Sequence, residues 1–386
     1  MSGAHAKLSA SSAHRWMTCT ASVHMEEGLP DNTSIYAEEG TLAHSIAELK
    51  LRKAYTDPMG PRKYGAALKK LQEHELYAPE MLGHTDTYKD YIDGITHAQQ
   101  SKPYVTVEKR VDYSAWAEGG FGTADCIVIT GDTLYVTDFK YGKGVYVDAE
   151  NNPQMMLYAL GAYQVYCLIY PIKRVRMAIV QPRIPSISEW ETTVEALLAF
   201  GETVKSRAAE ALAGGRFAPG DKQCRFCKAK ATCRARANQN LELAKYEFKD
   251  ADKLTSEDLG AILKQADELK RWVSDVEDEA LKTLLSGGRI PGWKAVEGRS
   301  NRVFKDTDEA FAALIASGVS QDMLYERRPI TLSAAEKLVG AKTFSSVLAN
   351  HIIKPQGKPT LAQATDPRPE YQQTTIQNDF KEIVNK

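Results

Sequence analysis

The chain lacks an excess of charge of either sign: 49 Lys and Arg stand against 50 Asp and Glu, a formal net charge of −1 with histidine neutral. No electrostatic partner therefore follows from the molecule as a whole. It also lacks a long apolar run. The longest, Met155 to Tyr170, is interrupted by Gln164 and stopped by Pro171, short of the ~18 to 20 residues that cross a bilayer, so a membrane protein is not expected. Residues Met1 to Ala13 carry no positively charged head followed by an apolar stretch. That pattern marks secretory signals and transit peptides, so a cytoplasmic protein is expected. Six cysteines in 386 residues are too few for a disulfide scaffold. No G-x-x-x-x-G-K-[ST] sequence occurs, so any helicase motor must come from another chain. Internal repeats are lacking as well.

What is present is ordinary globular material, 43% hydrophobic and 26% charged, long enough for two domains or one large decorated one. Gly40 to Ala54 places Leu42, Ile46 and Leu49 on one face behind Glu38 and Glu39, a helix with acids at its start. Helical spacing continues from about Arg62 to Gln100, with Pro79 opening a second segment. The texture changes at Pro103: Tyr104 to Val111 alternates, Gly120 to Thr130 is rich in β-branched residues, and Gly131-Asp132 turns into Leu134 to Phe139. A long helix is expected over Asn151 to Tyr170, strands at about Arg174 to Gln181 and Ile187 to Thr193, and a helix over Val194 to Ala213. Strands enclosed by helices predict a mixed α/β core over residues 1–250. Thr255-Ser-Glu-Asp258 opens a helix running to about Leu285. It begins a smaller α+β region, 251–354, with a hairpin over Gly292 to Phe304 and short helices from Thr307 to about Asn350. A Pro/Gln/Thr-rich tail, 355–386, reads as weakly ordered.

The stretch richest in chemistry is Gly122-Thr-Ala-Asp125 followed by Asp138-Phe-Lys140, one acid on each of two adjacent predicted strands. Two carboxylates suit Mg2+ or Mn2+, which take hard oxygen ligands and keep several waters. Strand side chains alternate with period two, so Lys140 shares a face with Asp138, where its charge can stabilise a water-derived nucleophile or developing phosphoryl charge. Taken alone, Asp138 and Lys140 read as a surface ion pair and His44 as a half-buried helix histidine. His74, His84 and His97 have no matching partners and read as solvated.

Gly40-x-x-x-His44, Gly122-x-x-Asp125, Asp138-x-Lys140 and Gln154-x-x-x-Tyr158 resemble, in identity, order and spacing, the RecB-like branch of the PD-(D/E)XK nucleases over about Leu8 to Arg236. The resemblance implies a restriction-endonuclease-like sheet flanked by helices. It makes His44, Asp125, Asp138 and the Phe139 carbonyl metal ligands and Lys140 catalytic. Gln154 and Tyr158 would organise the site or contact DNA, and Glu48, one turn after His44, also has counterparts.

Cys224, Cys227 and Cys233 form a C-x2-C-x5-C cluster, while Cys19, Cys126 and Cys167 stand alone. Three thiolates need a fourth soft ligand for tetrahedral zinc or an iron-sulfur cluster, and Cys19 is the candidate. Its segment, Leu8 to Cys19, resembles the N-terminal element of the iron-sulfur subset of the same nucleases, which includes AddB and the CRISPR-adaptation exonucleases. That implies a [4Fe-4S] cluster on Cys19, Cys224, Cys227 and Cys233, closing a loop of roughly 200 residues like a clamp. The chain departs from the pattern at Thr20, where proline is usual. Zinc held by the trio with His14 or His24 is the competing reading. Cys126 and Cys167 read as buried free thiols.

Positive charge is local: Arg216, Lys222, Arg225, Lys228, Lys230, Arg234 and Arg236 stand against Asp221 alone between 216 and 236. Such a run offers phosphate contacts or is simply a solvated face. Phe217 and Phe226 are placed to stack on bases, or in the case of Phe226 to pack against the cluster. Arg299 and Arg302 in the expected hairpin, whose sequence resembles a phage-encoded group of these nucleases, are further candidates for DNA. Docking of a partner protein is an equal reading of that region. The expected activity is an Mg2+- or Mn2+-dependent deoxyribonuclease, an exonuclease processing DNA ends in phage recombination or replication within the host cytoplasm. A single-strand binding or annealing protein is the expected partner. A noncatalytic DNA-binding or scaffold subunit and a structure-specific endonuclease are the alternatives.

Overall fold

The structure, a computed structural model, describes residues 6–30, 34–98, 102–242, 255–296, 305–325, 331–348 and 351–352. The chain divides into two compact units, 1–296 and 297–386.

The first unit is mixed α/β. Five strands, β1 (Tyr104–Asp112), β2 (Phe121–Thr130), β3 (Thr133–Phe139), β4 (Arg174–Gln181) and β5 (Ser186–Thr193), lie in sequence order across one sheet. Neighbours pair antiparallel except β3 and β4, which are parallel. A parallel pair needs a crossover. The crossover here contains helix α6, one of ten α-helices among the described residues of this unit: α1 (Ala13–Thr18), α2 (Ser22–Met25), α3 (Ile35–Leu51), α4 (Pro61–Gln72), α5 (Glu80–His97), α6 (Pro153–Tyr166), α7 (Val194–Leu212), α8 (Asp221–Arg225), α9 (Arg234–Leu241) and α10 (Ser256–Leu285).

Both faces of the sheet are covered, so its central strands are apolar on both sides. Ile127, Ile129, Leu134, Val136, Val175, Met177 and Ile179 pack with Leu8, Trp16 and helices α6 and α7. Cys126, Val128, Phe139 and Val180 pack on the other face with Leu42, Ile46, Tyr88 and Ile92 of α3 and α5. The N-terminal segment is thus a working part of the core: Trp16 is fully buried, and the Tyr113 hydroxyl donates to the Leu8 carbonyl at 3.1 Å.

The expected elements appear with shifted ends. Helix α3 starts at Ile35 rather than Gly40, because the Ser34 hydroxyl caps it by accepting from the Ala37 N–H. Helix α6 stops at Tyr166, short of Tyr170, and leaves Leu168 and Ile169 exposed. Helix α10 starts and stops where expected, behind a Thr255–Asp258 capping box, but it belongs with the first unit. Its Glu268 and Asp275 hold the buried Arg236 at 2.7 and 2.6 Å, and its Arg271 meets Asp221 at 2.6 Å. Cys167 caps the end of α6 half-exposed and is not a core thiol, whereas Cys126 is fully buried. Among the described residues, no helix is long and apolar enough to cross a membrane.

In the second unit, α11 (Thr307–Ala316), α12 (Leu332–Val339) and α13 (Ala341–Leu348) are the expected short helices. The expected hairpin is described only through residue 296, without a strand, and its remainder, with Arg299 and Arg302, lies outside the described residues, as does the 355–386 tail.

Candidate functional site

Asp125, Asp138 and Lys140 meet where β2 and β3 open towards α6. Asn152 caps α6 by accepting from the N–H groups of Gln154 and Met155 at 3.0 and 3.3 Å, and Pro153 takes the first helical position, where no N–H is needed. The first turn of α6 is thereby fixed against the end of β3. Gln154 Nε2 donates to Asp138 Oδ1 at 3.1 Å, its Oε1 accepts from Lys140 Nζ at 3.3 Å, and Nε2 lies 3.3 Å from the Tyr158 hydroxyl. Lys140 Nζ stands 3.1 Å from Asp138 Oδ2, an oxygen that makes no hydrogen bond in its buried position. Asp138 is 3% exposed. Gly122 has a steric role: a Cβ there would lie 2.6 Å from the Tyr158 ring. Nothing in the structure explains Gly40, where a Cβ would meet only open space.

On the other side of this network, Asp125 Oδ2 accepts from the Phe139 N–H at 2.7 Å and lies 3.5 Å from His44 Nδ1, whose ring stands edge-on to Phe139. Ligand atoms of His44, Asp125 and Glu108 all fall within 4.8 Å of one another, the one such set of three among the described residues. Glu108 is the residue that sequence reading missed. Val105 and Val107 pack with the α3 and α5 core and Val111 with the opposite one, although alternation alone would put all three on one face. The reversal falls at Glu108, whose φ of 51° is left-handed, opposite Asp125 in the β1–β2 register. Cys126 and Ala124 show the same reversal across Asp125. The paired kink brings the two acids to one notch, and only a φ value, invisible in sequence, reveals it. Asp138 is joined to this notch through Lys140 and the strand, not as a member of the tight set. Glu48 turns to Arg52 at 2.6 Å.

The electrostatics follow from burial and crowded acids. Burial, then the Asp138 charge, raises the Asp125 carboxyl to about 6 against the pull of His44, the Phe139 N–H and Lys140. Burial, with Asp125 and Glu48 nearby, raises Glu108 to about 8. For Lys140, burial pulls its pKa down, but Asp138 and Asp125 outweigh that and hold the ammonium above its usual range. Burial and Asp138 hold Tyr158 well above the usual phenol range, so it is a protonated hydroxyl. Crowded carboxylates of this kind fit a divalent cation, which relieves their mutual repulsion.

The cysteines gather elsewhere in the unit. Cys19, Cys224, Cys227 and Cys233 all line one cavity, together with Arg15, Ser22 and Phe217, and neither His14 nor His24 does. Backbone N–H groups of Ala218 and Gly220 point at Cys19 Sγ and Cys224 Sγ, each at 3.4 Å. Burial raises the Cys224 thiol and pushes Cys227 up to about 12. Protein contacts hold the junction: Arg15 bridges Glu26 and the Phe226 carbonyl at 2.5 and 3.2 Å, and Glu26 accepts from the Lys228 N–H at 2.8 Å. Thr20, the departure from pattern, takes the Arg216 N–H on its hydroxyl at 2.8 Å. Gly215, at φ 69°, passes so close that a Cβ would lie 2.3 Å from the Ala21 nitrogen.

The basic run is less free than its sequence suggests. Lys230 pairs with Asp275 at 2.6 Å, Arg216 with Glu210 at 3.2 Å, and Arg236 is buried between two acids of α10. Glu268 and Asp275 lie too far along the chain for local charge counting to pair them. Arg225 stands over the Phe226 ring at 5.8 Å. Phe226 is 71% exposed, so Phe217, not Phe226, packs at the cysteine cavity. His84 is half-buried against Tyr141 rather than solvated.

Among solved structures, that of SSO0001 is 15% identical, covering 58% of this chain and 96% of its own, at a TM-score of 0.23. The model of the family described as a protein of unknown function (DUF2800) matches residues 5–369, and the chain belongs to that family.

Proposed function

We propose that the first unit is a metal-dependent deoxyribonuclease of RecB-like, restriction-endonuclease-like architecture, an exonuclease acting on DNA ends, with an iron-sulfur clamp. The observation that carries this reading is the buried Asp138–Lys140–Gln154–Tyr158 network beside the His44–Asp125 pair. His44, Asp125, Asp138 and the Phe139 carbonyl, with Glu108 alongside, are the residues that would hold Mg2+ or Mn2+. When bound, such an ion polarises a phosphoryl oxygen and acidifies water. Lys140 brings a permanent positive charge to the place where anionic charge develops at phosphorus. Gln154 holds Lys140 and Asp138 in one geometry, and Tyr158 presents a neutral hydroxyl beside them.

The four cysteines fit a soft-metal group by their chemistry and their common cavity. The lining offers four thiols and no histidine, which fits [4Fe-4S] on the four cysteines rather than zinc on the trio with His14 or His24. The second unit is read as a contact region for DNA or for a protein such as a single-strand binding or annealing protein.

The test is Mn2+-dependent digestion of end-labelled linear DNA beside circular single-stranded DNA. Linear digestion with intact circles is expected, and Asp138→Ala and Lys140→Ala should each abolish cleavage by at least ~100-fold while keeping the circular-dichroism melt of the parent. Cut circles would make the enzyme an endonuclease. Full activity in either variant would remove the assigned site. Iron and sulfide in anaerobically purified protein are expected; zinc alone would refute the cluster.

A further inference from the structure

Helix α10 runs for 30 residues and fully buries none of them. A polar edge ties it to the rest of the first unit: Glu268 and Asp275 grip Arg236, and Arg271 meets Asp221. Its apolar residues follow a different line. From Leu259 they recur at Ile262, Ala266, Leu269, Val273, Val276 and Ala280, in alternating steps of three and four. That is the spacing of a seam between two paired helices. With 3.6 residues per turn, the line lies about 140° round the helix from the edge that holds Arg236. Its middle faces water: Val273 is 43% and Val276 37% exposed, and Leu263, flanking the line, 47%. A helix stripe of this kind contributes to stability only once something apolar covers it.

The charges beside the seam say what covers it. Lys270 directly follows Leu269 and Glu277 directly follows Val276, so the two take one flanking position in successive repeats. Both are exposed, and Lys270 lies 3.9 Å from Asp267, one turn back. When two identical helices pair antiparallel, equal flanking positions of the two copies face each other. Setting Val273 against Val276 of a second copy then brings Lys270 of each onto Glu277 of the other, Leu269 onto Ala280 and Leu263 onto Leu284. A slide of one repeat either way sets Lys270 on Lys270 or Glu277 on Glu277. A parallel pair sets Lys270 beside Gln265 and Glu277 beside Trp272, which yields no ion pair. Of these arrangements, one alone satisfies both the apolar line and the charges.

We propose that a second copy of this chain covers the stripe, through an antiparallel pairing of the two α10 helices about a twofold axis between Val273 and Val276. The contact is isologous, each side giving what it receives. The valines and Leu269 supply its apolar centre. The two Lys270–Glu277 pairs at the rim fix direction and register rather than adding much affinity. Glu268, Arg271 and Asp275 keep the partners they already have, because they occupy the other side of the helix. The pairing goes beyond the nuclease reading and does not depend on it.

Sedimentation equilibrium of the full-length protein tests the contact. The parent should be a dimer at micromolar concentration, and Val273→Glu, which sets a carboxylate in the central layer of each copy, should leave a monomer. Lys270→Glu and Glu277→Lys each turn two attractive pairs into repulsive ones. Either should weaken the dimer roughly 5- to 30-fold, the loss of two rim pairs. An equimolar mixture of these two variants should associate as tightly as the parent, because in the heterodimer every glutamate at the two positions meets a lysine. All three changes fall on exposed side chains, so each variant should keep the thermal melt of the unassociated chain. A parent that is monomeric at every concentration overturns the pairing and leaves the stripe to another partner. A dimer indifferent to Val273→Glu, or a mixture no tighter than its two components, overturns it as well.

Discussion

Glu108 shows what a single residue costs the fold in exchange for a site. It stands at φ 51° inside a strand, a conformation that non-glycine residues adopt at about 1 kcal/mol or more, and faces Asp125 across a narrow notch. Its carboxyl is raised from 4.5 to about 8. The sign follows: the folded state binds this proton more tightly than the unfolded chain, so its stabilising contribution is complete below pH 4.5 and declines until pH passes about 8. Glu108→Gln removes that decline. In metal-free protein the variant should match the parent in Tm near pH 5 and exceed it by several degrees near pH 8, as differential scanning fluorimetry across pH would read. A constant offset at every pH would mean the notch is not what raises Glu108. Asp138 and Lys140 were legible as one face because strand side chains alternate with period two, and Asp125, Gln154 and Tyr158 were legible only as members of an ordered motif set that resembles a known family. Glu108 was not, because the reversal that aims it is a backbone event with no residue-type signature.

At the level of elements, the boundaries that sequence reading placed best are those with chemical punctuation, such as the Thr255–Asp258 capping box of α10. What it placed less well is where α10 belongs, since helix amphipathicity does not say which neighbour a helix meets. The answer lies in Arg236, 1% exposed between Glu268 and Asp275, with a third bond to the Lys230 carbonyl at 3.1 Å. Removing one member of a buried charge set leaves the others uncompensated. Arg236→Ala should therefore lower unfolding free energy by about 3 kcal/mol or more, seen in urea titration, and amide exchange in α10 should accelerate before that of β2 to β4. Unchanged exchange in α10 would mean that other contacts hold it. Cys224→Ser tests the proposed cluster: if it is held there, iron content and Tm should both fall, whereas the protein contacts made by Arg15, Glu26 and Thr20 keep the first unit folded. A variant with parental iron content would exclude Cys224 as a ligand.

For the whole molecule, the feature that matters most is the placement of residues 8–23. Leu8, Ala10, Ala13, Trp16 and Val23 are buried in the core that α6 and α7 complete, and the Thr20–Ala21 backbone meets Gly215 and Arg216. Deleting residues 1–23 should leave an insoluble product, measured as the soluble fraction after expression, while cutting after residue 296 should leave a folded first unit. A soluble, cooperatively melting deletion would show that the core closes without the segment. The same placement bears on synthesis. The buried face of residues 8–23 leaves the ribosome long before the partners near residues 155, 204 and 216 exist, so it must wait for roughly 200 residues of translation. At about 5 to 20 residues per second, the nascent chain carries an exposed Trp16 for on the order of 10 to 40 seconds. Slow elongation would prolong that wait, and a chaperone that shelters the first segment would raise the yield of native protein more than one acting on the finished chain.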